Sequence, residues 1–266
     1  MEALVKGLKL FYTDSGKSNA PAIVLIHGFP FDRTMWQEQA ALLEPSFRVI
    51  TYDQRGHGQS DVGDGQYLFE FFVDDLFGLL DVLRIDRVIL CGLSMGGYVA
   101  LRAIERCPER ILGLILCDTR SEAETDEGKL KRAAAVHTVQ DKGVPAFAEG
   151  FLKAAFAPAS FKETPLVVEQ IRKSILENSS RGICGTLIAL ATRTDTTSFL
   201  PSIRVPSLIL VGEYDGITPP SAAKAMHQRI PDSEMAIIPN AGHLSNLENS
   251  LPFNSRLLEF AKKFIS

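Results

Sequence analysis

Five short runs of this chain are apolar without a break: Ala22 to Ile26, Val88 to Cys91, Leu114 to Cys117, Leu208 to Val211 and Ala236 to Ile238. A strand with one face in water alternates apolar and polar side chains, so unbroken runs of this length describe strands covered on both faces. Between them lie segments with helical spacing. In Phe69 to Arg84 the residues Phe72, Leu76, Leu79, Leu80 and Leu83 recur three or four apart, and Met95 to Cys107 carries Ala100, Leu101 and Ile104. That alternation predicts a mostly parallel central sheet flanked by helices on both faces. Right-handed crossovers bring the loops at the strands' carboxyl ends to one edge, where ligand chemistry is expected.

The alternation stops after Asp118. From there to Arg204 the spacing is helical only, with candidate helices at Glu127 to Asp141, Pro145 to Ala157, Pro165 to Asn178 and Gly182 to Thr192, separated by Gly143, Pro158 and Ser179-Ser180. The expected organisation is a core in two parts, residues 1–118 and 204–266, with a helical cap over 119–203 inserted between them. Phe147, Phe151, Phe156, Phe161, Ile188 and Leu190 lie at or near helical spacing in that insertion. Core packing is the expectation for most of them, with the remainder lining a pocket.

Composition narrows the function classes. Acidic and basic residues nearly balance, 32 against 28, and no long basic block occurs, which argues against nucleic acid as a partner. The first residues, MEALVKGLKLFYTDSG, have lysines spaced through them, and no later stretch approaches the roughly 18 to 20 apolar residues of a membrane span. A cytoplasmic protein without a membrane partner is expected, as monomer or homo-oligomer. Cys91, Cys107, Cys117 and Cys184 form no CxxC pair, and two of them fall in the buried runs, so reduced core thiols are expected.

The chemistry concentrates in CGLSMGGY at 91–98. The bare G-x-S-x-G pattern is weak, and a glycine-softened bend would produce it too. Its context is stronger: a buried run precedes it and an alanine- and leucine-bearing helix follows, the strand-turn-helix setting that exposes a serine hydroxyl above a sheet. Ser94 then sits just before a helix N-terminus, whose free amides and partial positive charge favour developing negative charge.

Serine becomes a useful nucleophile only when a base removes its proton, so a histidine and an acid are expected on other strand ends. Of five histidines, His137 and His227 read as solvated or structural, His27 as structural, and His57, in the glycine-broken Asp53-Gln-Arg-Gly-His-Gly-Gln-Ser60, as a loop-ordering residue. His243 is best placed, after the last strand in Ile238-Pro-Asn-Ala-Gly-His243. For the acid, Asp215 directly follows a strand and is favoured, with Asp118 the rival at another strand end. A carboxylate there would accept the Nδ1 proton of His243 and fix its tautomer. Amides for an oxyanion are expected from Met95 and, in His27-Gly-Phe-Pro30, from Phe29, because Pro30 has no N–H to donate.

These residues resemble the α/β-hydrolase family along nearly the whole chain: HGFP at 27–30, DQRGHGQS at 53–60, GLSMGGY at 92–98, GEYDGITPP at 212–220 and NAGHLSNLE at 240–248. Five ordered motifs at family-like spacing are specific. The fuller strings HGFPFDRTMW, GLSMGGYVAL, LILCDTR and NAGHLSNLEN look most like small capped bacterial carboxylesterases, and they are also similar to 3-oxoadipate enol-lactone hydrolases. The resemblance implies an α/β-hydrolase fold with a cap, no cofactor, Ser94 as nucleophile, His243 as base, Asp215 as acid, and the amides of Phe29 and Met95 as oxyanion hole. Dehalogenases and epoxide hydrolases of the family carry aspartate where this chain has Ser94 and are disfavoured. Perhydrolases keep the serine, and carbon-carbon bond hydrolases share the triad without evident substrate-gripping residues here. Arg120, Arg181 and Arg193 are scattered in the sequence, which favours esters of small to medium neutral acyl chains over a charged lactone. A hydrolase-fold ligand receptor with slow turnover is the reading from a different class.

Overall fold

The computed structural model describes residues 1–265 and contains one sheet of eight strands. These are β1 (Glu2–Val5), β2 (Leu8–Gly16), β3 (Ala22–Ile26), β4 (Arg48–Tyr52), β5 (Val88–Leu93), β6 (Ile111–Cys117), β7 (Ser207–Gly212) and β8 (Glu234–Ile238), lying in the order β1-β2-β4-β3-β5-β6-β7-β8. β2 runs antiparallel to both β1 and β4, while the six strands from β4 to β8 in space are parallel. All five expected apolar runs are strands, and every residue of β3, β5 and β7 is buried, as strands covered on both faces require.

Three strands were not expected. β1 alternates exposed and buried residues, β2 is mostly half-exposed, and in β4 the polar Arg48 and Thr51 interrupt an otherwise apolar run. For β1 and β2 the reason is their place in the sheet, at the edge, where one side of a strand meets water and continuous apolarity has no value; β4 lies inside the sheet, and there the two polar residues alone break the run.

The helices are α1 (Gln37–Leu43), α2 (Phe69–Val82), α3 (Met95–Arg106), α4 (Asp126–Ala155), α5 (Ser160–Glu163), α6 (Pro165–Glu177), α7 (Ser180–Ala191), α8 (Pro220–His227), α9 (Ser245–Glu248) and α10 (Ser250–Ala261). α2 and α3 pack on each other, as do α1 and α10, where the rings of Trp36 and Phe253 meet at 6.3 Å. α4 to α7 occupy most of the stretch between β6 and β7, from Asp126 to Ala191. Gly143, with φ 80° and ψ 169°, breaks α4 into two arms at the gap expected between residues 141 and 145. Only glycine occupies that backbone region without strain, and Pro145 then suits the first turn of the second arm. The short α5 is an addition to the four expected helices.

Strand register decides where the loops meet. Ile26 lies beside Gly92, Leu93 beside Cys117, and Gly212 beside Ile238. The residues that follow, His27, Ser94, Asp118 and the turns leading to Asp215 and His243, therefore leave the sheet at one edge. The helical insertion is fastened to that same edge by buried polar contacts. Ser174 Oγ donates to Asp32 Oδ2 at 2.7 Å, and Asn178 Nδ2 donates to the Pro30 carbonyl at 2.7 Å. Asn178 Oδ1 accepts from the Gly58 amide at 2.7 Å, so one side chain binds both the loop after β3 and the loop after β4. Although α4 is long, no helix among the described residues is both long and apolar enough to cross a membrane.

Candidate active site

Ser94 occupies the single residue between β5 and α3, with φ 53° and ψ −113°. A non-glycine residue held there costs on the order of 1–3 kcal/mol, and the surroundings impose it. The Ser94 amide donates to the Cys117 carbonyl of β6 at 2.9 Å, and its carbonyl accepts from Thr119 Oγ1 at 2.8 Å. The glycines are steric necessities: a Cβ on Gly92 would run into the Gly96 carbonyl, and one on Gly96 into the end of β3 at Ile26. The serine side chain is thereby lifted above the strand ends at the start of a helix.

Met95 is the first residue of α3, so its amide has no intrahelical acceptor. The Phe29 amide likewise donates to no backbone or side-chain acceptor among the described residues. The loop that carries Phe29 is held from below by His27, whose Nδ1 donates to the Gly28 carbonyl at 2.8 Å while Nε2 accepts from the Gln54 amide at 2.9 Å. Burial keeps His27 below the ordinary histidine range, consistent with a neutral structural ring. His57 also orders this loop. Its ring lies 5.2 Å from that of His27 and edge-on to Phe29 at 5.9 Å, and burial, then the neighbouring His27, push it down to about 3. His137 and His227 are exposed, away from these groups.

Asp215 and His243 meet as expected. His243 Nδ1 donates to Asp215 Oδ2 at 2.9 Å with both side chains buried. The same Asp215 oxygen accepts from Thr218 Oγ1 at 2.7 Å, and Oδ1 accepts from the amides of Ile217 and Thr218 at 2.8 and 2.9 Å. Burial opposes the charge on Asp215, but His243 and these donors outweigh it and hold the carboxyl below its usual range. Burial also disfavours an imidazolium at His243, yet the Asp215 charge and hydrogen bond prevail and raise it above the ordinary value. Nε2 of His243 is buried with no partner, and Ser94 Oγ makes no hydrogen bond among the described residues. Ser94 and His243 are thus gathered at one edge without being bonded to each other.

The rival Asp118 does not touch the histidine. Its oxygens accept from the Gly212 amide at 2.8 Å and from Ser245 Oγ, which ties the end of β7 to the segment after His243. Burial, and next the charge of Asp215, push the Asp118 carboxyl well above the usual range. The two acids divide their work: Asp215 is the charged partner of His243 and Asp118 a buried clip.

A cavity of 460 Å³ is lined by Phe29 and by Gly216 and Ile217, the two residues that follow Asp215. Phe147 and Phe151 of the second α4 arm line it, their rings 5.8 Å apart and both about 6 Å from that of Phe29. Of the other apolar candidates, Phe156 and Leu190 are buried in packing, whereas Phe161 and Ile188 are partly or largely exposed. The arginines that looked scattered are not. Arg120 and Arg193 both line this cavity, together with Arg132 and Lys131, opposed by Glu124 and Glu127. Arg193 is 4% exposed, binds Glu124 and lies over the Tyr98 ring, while Arg120 Nε is buried without a hydrogen bond. Arg181 alone stays apart, against Gly65 in a second cavity. Sequence reasoning missed Thr218, Asn178 and Glu248, although Thr218 stood inside GEYDGITPP and Glu248 inside NAGHLSNLE.

Known proteins are similar to this chain along nearly its whole length. The chain is 31% identical over 257 residues to 3-oxoadipate enol-lactonase 1 of Acinetobacter baylyi, an alignment covering 97% of this chain and 94% of that one. Among solved structures, a thermophilic esterase from Thermogutta terrifontis superposes with a TM-score of 0.94 at 36% identity, covering 100% of this chain and 99% of the other. The enol-lactonase from Burkholderia xenovorans gives a TM-score of 0.92 at 31% identity, covering 98% and 100%. The family model described as alpha/beta hydrolase fold matches residues 21–250, and with the sheet order and the serine turn this makes the chain a member of the α/β-hydrolase family.

Proposed function

We propose that this hydrolase cleaves carboxylic esters through an acyl-enzyme on Ser94. In this reading His243 takes the Ser94 proton through Nε2 as the serine attacks the ester carbonyl. The amides of Phe29 and Met95 receive the oxyanion, each such donor contributing on the order of 3–4 kcal/mol to the transition state. His243 then gives its proton to the departing alcohol and activates the water that releases the acid. Residues 119–203 act as the cap that selects the substrate. The observation that carries the reading is the buried Asp215–His243 pair, whose free Nε2 faces no other protein partner, on the same sheet edge as a serine held in a strained turn.

Ser94→Ala should lower turnover of 4-nitrophenyl butyrate by at least about 10⁴-fold while the circular dichroism spectrum stays native. Near-normal rates in that variant would remove the scheme.

A second reading, hydrolysis of an enol-lactone or ester bearing a remote carboxylate, is favoured by the four cations around the cavity and by the enol-lactonase relatives. Acetate, butyrate and octanoate nitrophenyl esters, run beside 3-oxoadipate enol-lactone, separate the two. A kcat/KM for the lactone far above the neutral esters selects the second. Uniformly slow turnover with tight product or ligand binding would point instead to a receptor on a hydrolase fold.

A further inference from the structure

The histidine loop is held in an unusual way. Three successive amides, those of Gly242, His243 and Leu244, donate respectively to Glu248 Oε1 at 2.9 Å, to the Ala155 carbonyl at 2.7 Å, and again to Glu248 Oε1 at 3.1 Å. The second oxygen of the same carboxylate accepts from the Ala157 amide at 2.8 Å and from Ser160 Oγ at 2.6 Å. Ala155 ends the second arm of α4, and Ser160 begins α5. One carboxylate therefore closes a ring of contacts between α9, the loop that carries His243, and the turn by which the chain leaves α4.

The partners explain the residue types. Three of the four groups on Glu248 are N–H donors that cannot accept, so a carboxylate satisfies all of them and a carboxamide cannot. Gly242 has no room for a side chain: a Cβ there would lie 2.6 Å from the Ala157 nitrogen and 2.7 Å from the Ala155 oxygen. The loop runs flush against the helical insertion, and its backbone position is set from that side.

The other end of this contact is the cavity. Phe147, Phe151 and Ala154 line it from the same helical arm whose last carbonyl, on Ala155, holds the His243 amide. The wall of the cavity and the anchor of the histidine's backbone thus belong to one helical arm.

We propose that Glu248 is a positioning residue through which the helical insertion fixes His243, coupling occupation of the cavity to the placement of the imidazole. The kinetic side of this rests on the ester-hydrolase reading above; the structural side does not. Glu248 touches no reacting atom and acts only through the loop.

The test uses the full chain as wild type, Glu248→Gln, Glu248→Ala and Ser160→Ala. Turnover of 4-nitrophenyl butyrate is measured with the thermal melt, and the proton on His243 Nδ1 is followed by NMR in the downfield region where an imidazole–carboxylate hydrogen bond resonates. Both Glu248 variants should lower kcat by about 10- to 100-fold with KM within about threefold, as expected for a misplaced base rather than weakened binding. Their downfield resonance should move upfield and exchange faster. Ser160→Ala removes one donor on the insertion side only, and should give a smaller fall of about threefold with a shift in the same direction. An unmoved resonance in Glu248→Gln overturns the proposal even if turnover drops, and an unchanged Ser160→Ala removes the insertion from it. If Glu248→Ala does not fold, Glu248→Gln decides. Should the wild type cleave no ester, the functional reading fails while the resonance comparison still tests the positioning.

Discussion

A strand, a glycine-bearing turn and the next helix leave little freedom to the residue between them, and Ser94 shows how much of a site can follow from that constraint. The serine, Asp215 and His243 were legible in the sequence because each follows an apolar run and stands among small or turn-forming residues. Thr218, Asn178 and Glu248 were not, since each acts by a hydrogen bond to a group whose closeness only the fold creates. The pairing of Asp215 with His243 has a measurable sign. In the proposed scheme a protonated imidazole cannot accept the serine proton, and Asp215 raises the histidine above its ordinary value, so the acidic limb of the kcat/KM profile should lie above that value. Asp215→Asn removes the largest raising influence and leaves burial, which lowers the histidine, opposed only by the smaller effects of Asp118 and Glu248. The limb should then move to lower pH while kcat falls by on the order of 10⁴, as the Nδ1–H tautomer loses its acceptor. At the cavity wall, Arg120 carries a buried nitrogen without a hydrogen bond, its nearest carboxylate being Glu122 at 4.0 Å. Arg120→Gln should depress kcat/KM for a carboxylate-bearing ester about tenfold or more, and clearly more than for the butyrate ester, since a charge-assisted hydrogen bond contributes roughly 1.5–3 kcal/mol.

Elements were legible in proportion to their burial. The parallel strands in the middle of the sheet show continuous apolar runs, whereas β1 and β2 carry the mixed patterns of an edge. The insertion was readable as helices because Gly143, Pro158 and Ser179-Ser180 punctuate it. It did not show which face each helix would turn inward, nor that Arg120 before α4 and Arg193 after α7 would line one cavity. The break in α4 offers a direct test. Gly143→Ala places a side chain on a backbone conformation suited only to glycine and should cost about 1–3 kcal/mol in urea unfolding. Space is not the limit there, the nearest would-be neighbour being Pro145 Cδ at 3.4 Å, so a null result would mean that the two arms adjust to a different angle.

In the whole molecule the insertion and the sheet edge are joined by buried polar groups as well as by apolar packing. Asn178 spans from the Pro30 carbonyl to the Gly58 amide and is 5% exposed. Asn178→Ala leaves both groups unpaired and should lower unfolding free energy by about 1–3 kcal/mol, measured by urea titration. The loop bearing the Phe29 amide loses an anchor in the same variant, so kcat should fall beyond what the stability loss alone produces.

The order of these parts along the chain has a consequence during synthesis. The serine turn is built from β3, β5, α3 and β6, all of which leave the ribosome before the insertion, while Asp215 and His243 arrive on the last two strands. Under the proposed scheme, the hydroxyl of Ser94 has no base beside it until those strands dock, and a truncated or half-made chain would carry the turn in an inert form. In that scheme, assembly of the final quarter of the protein is also the moment at which its chemistry is switched on.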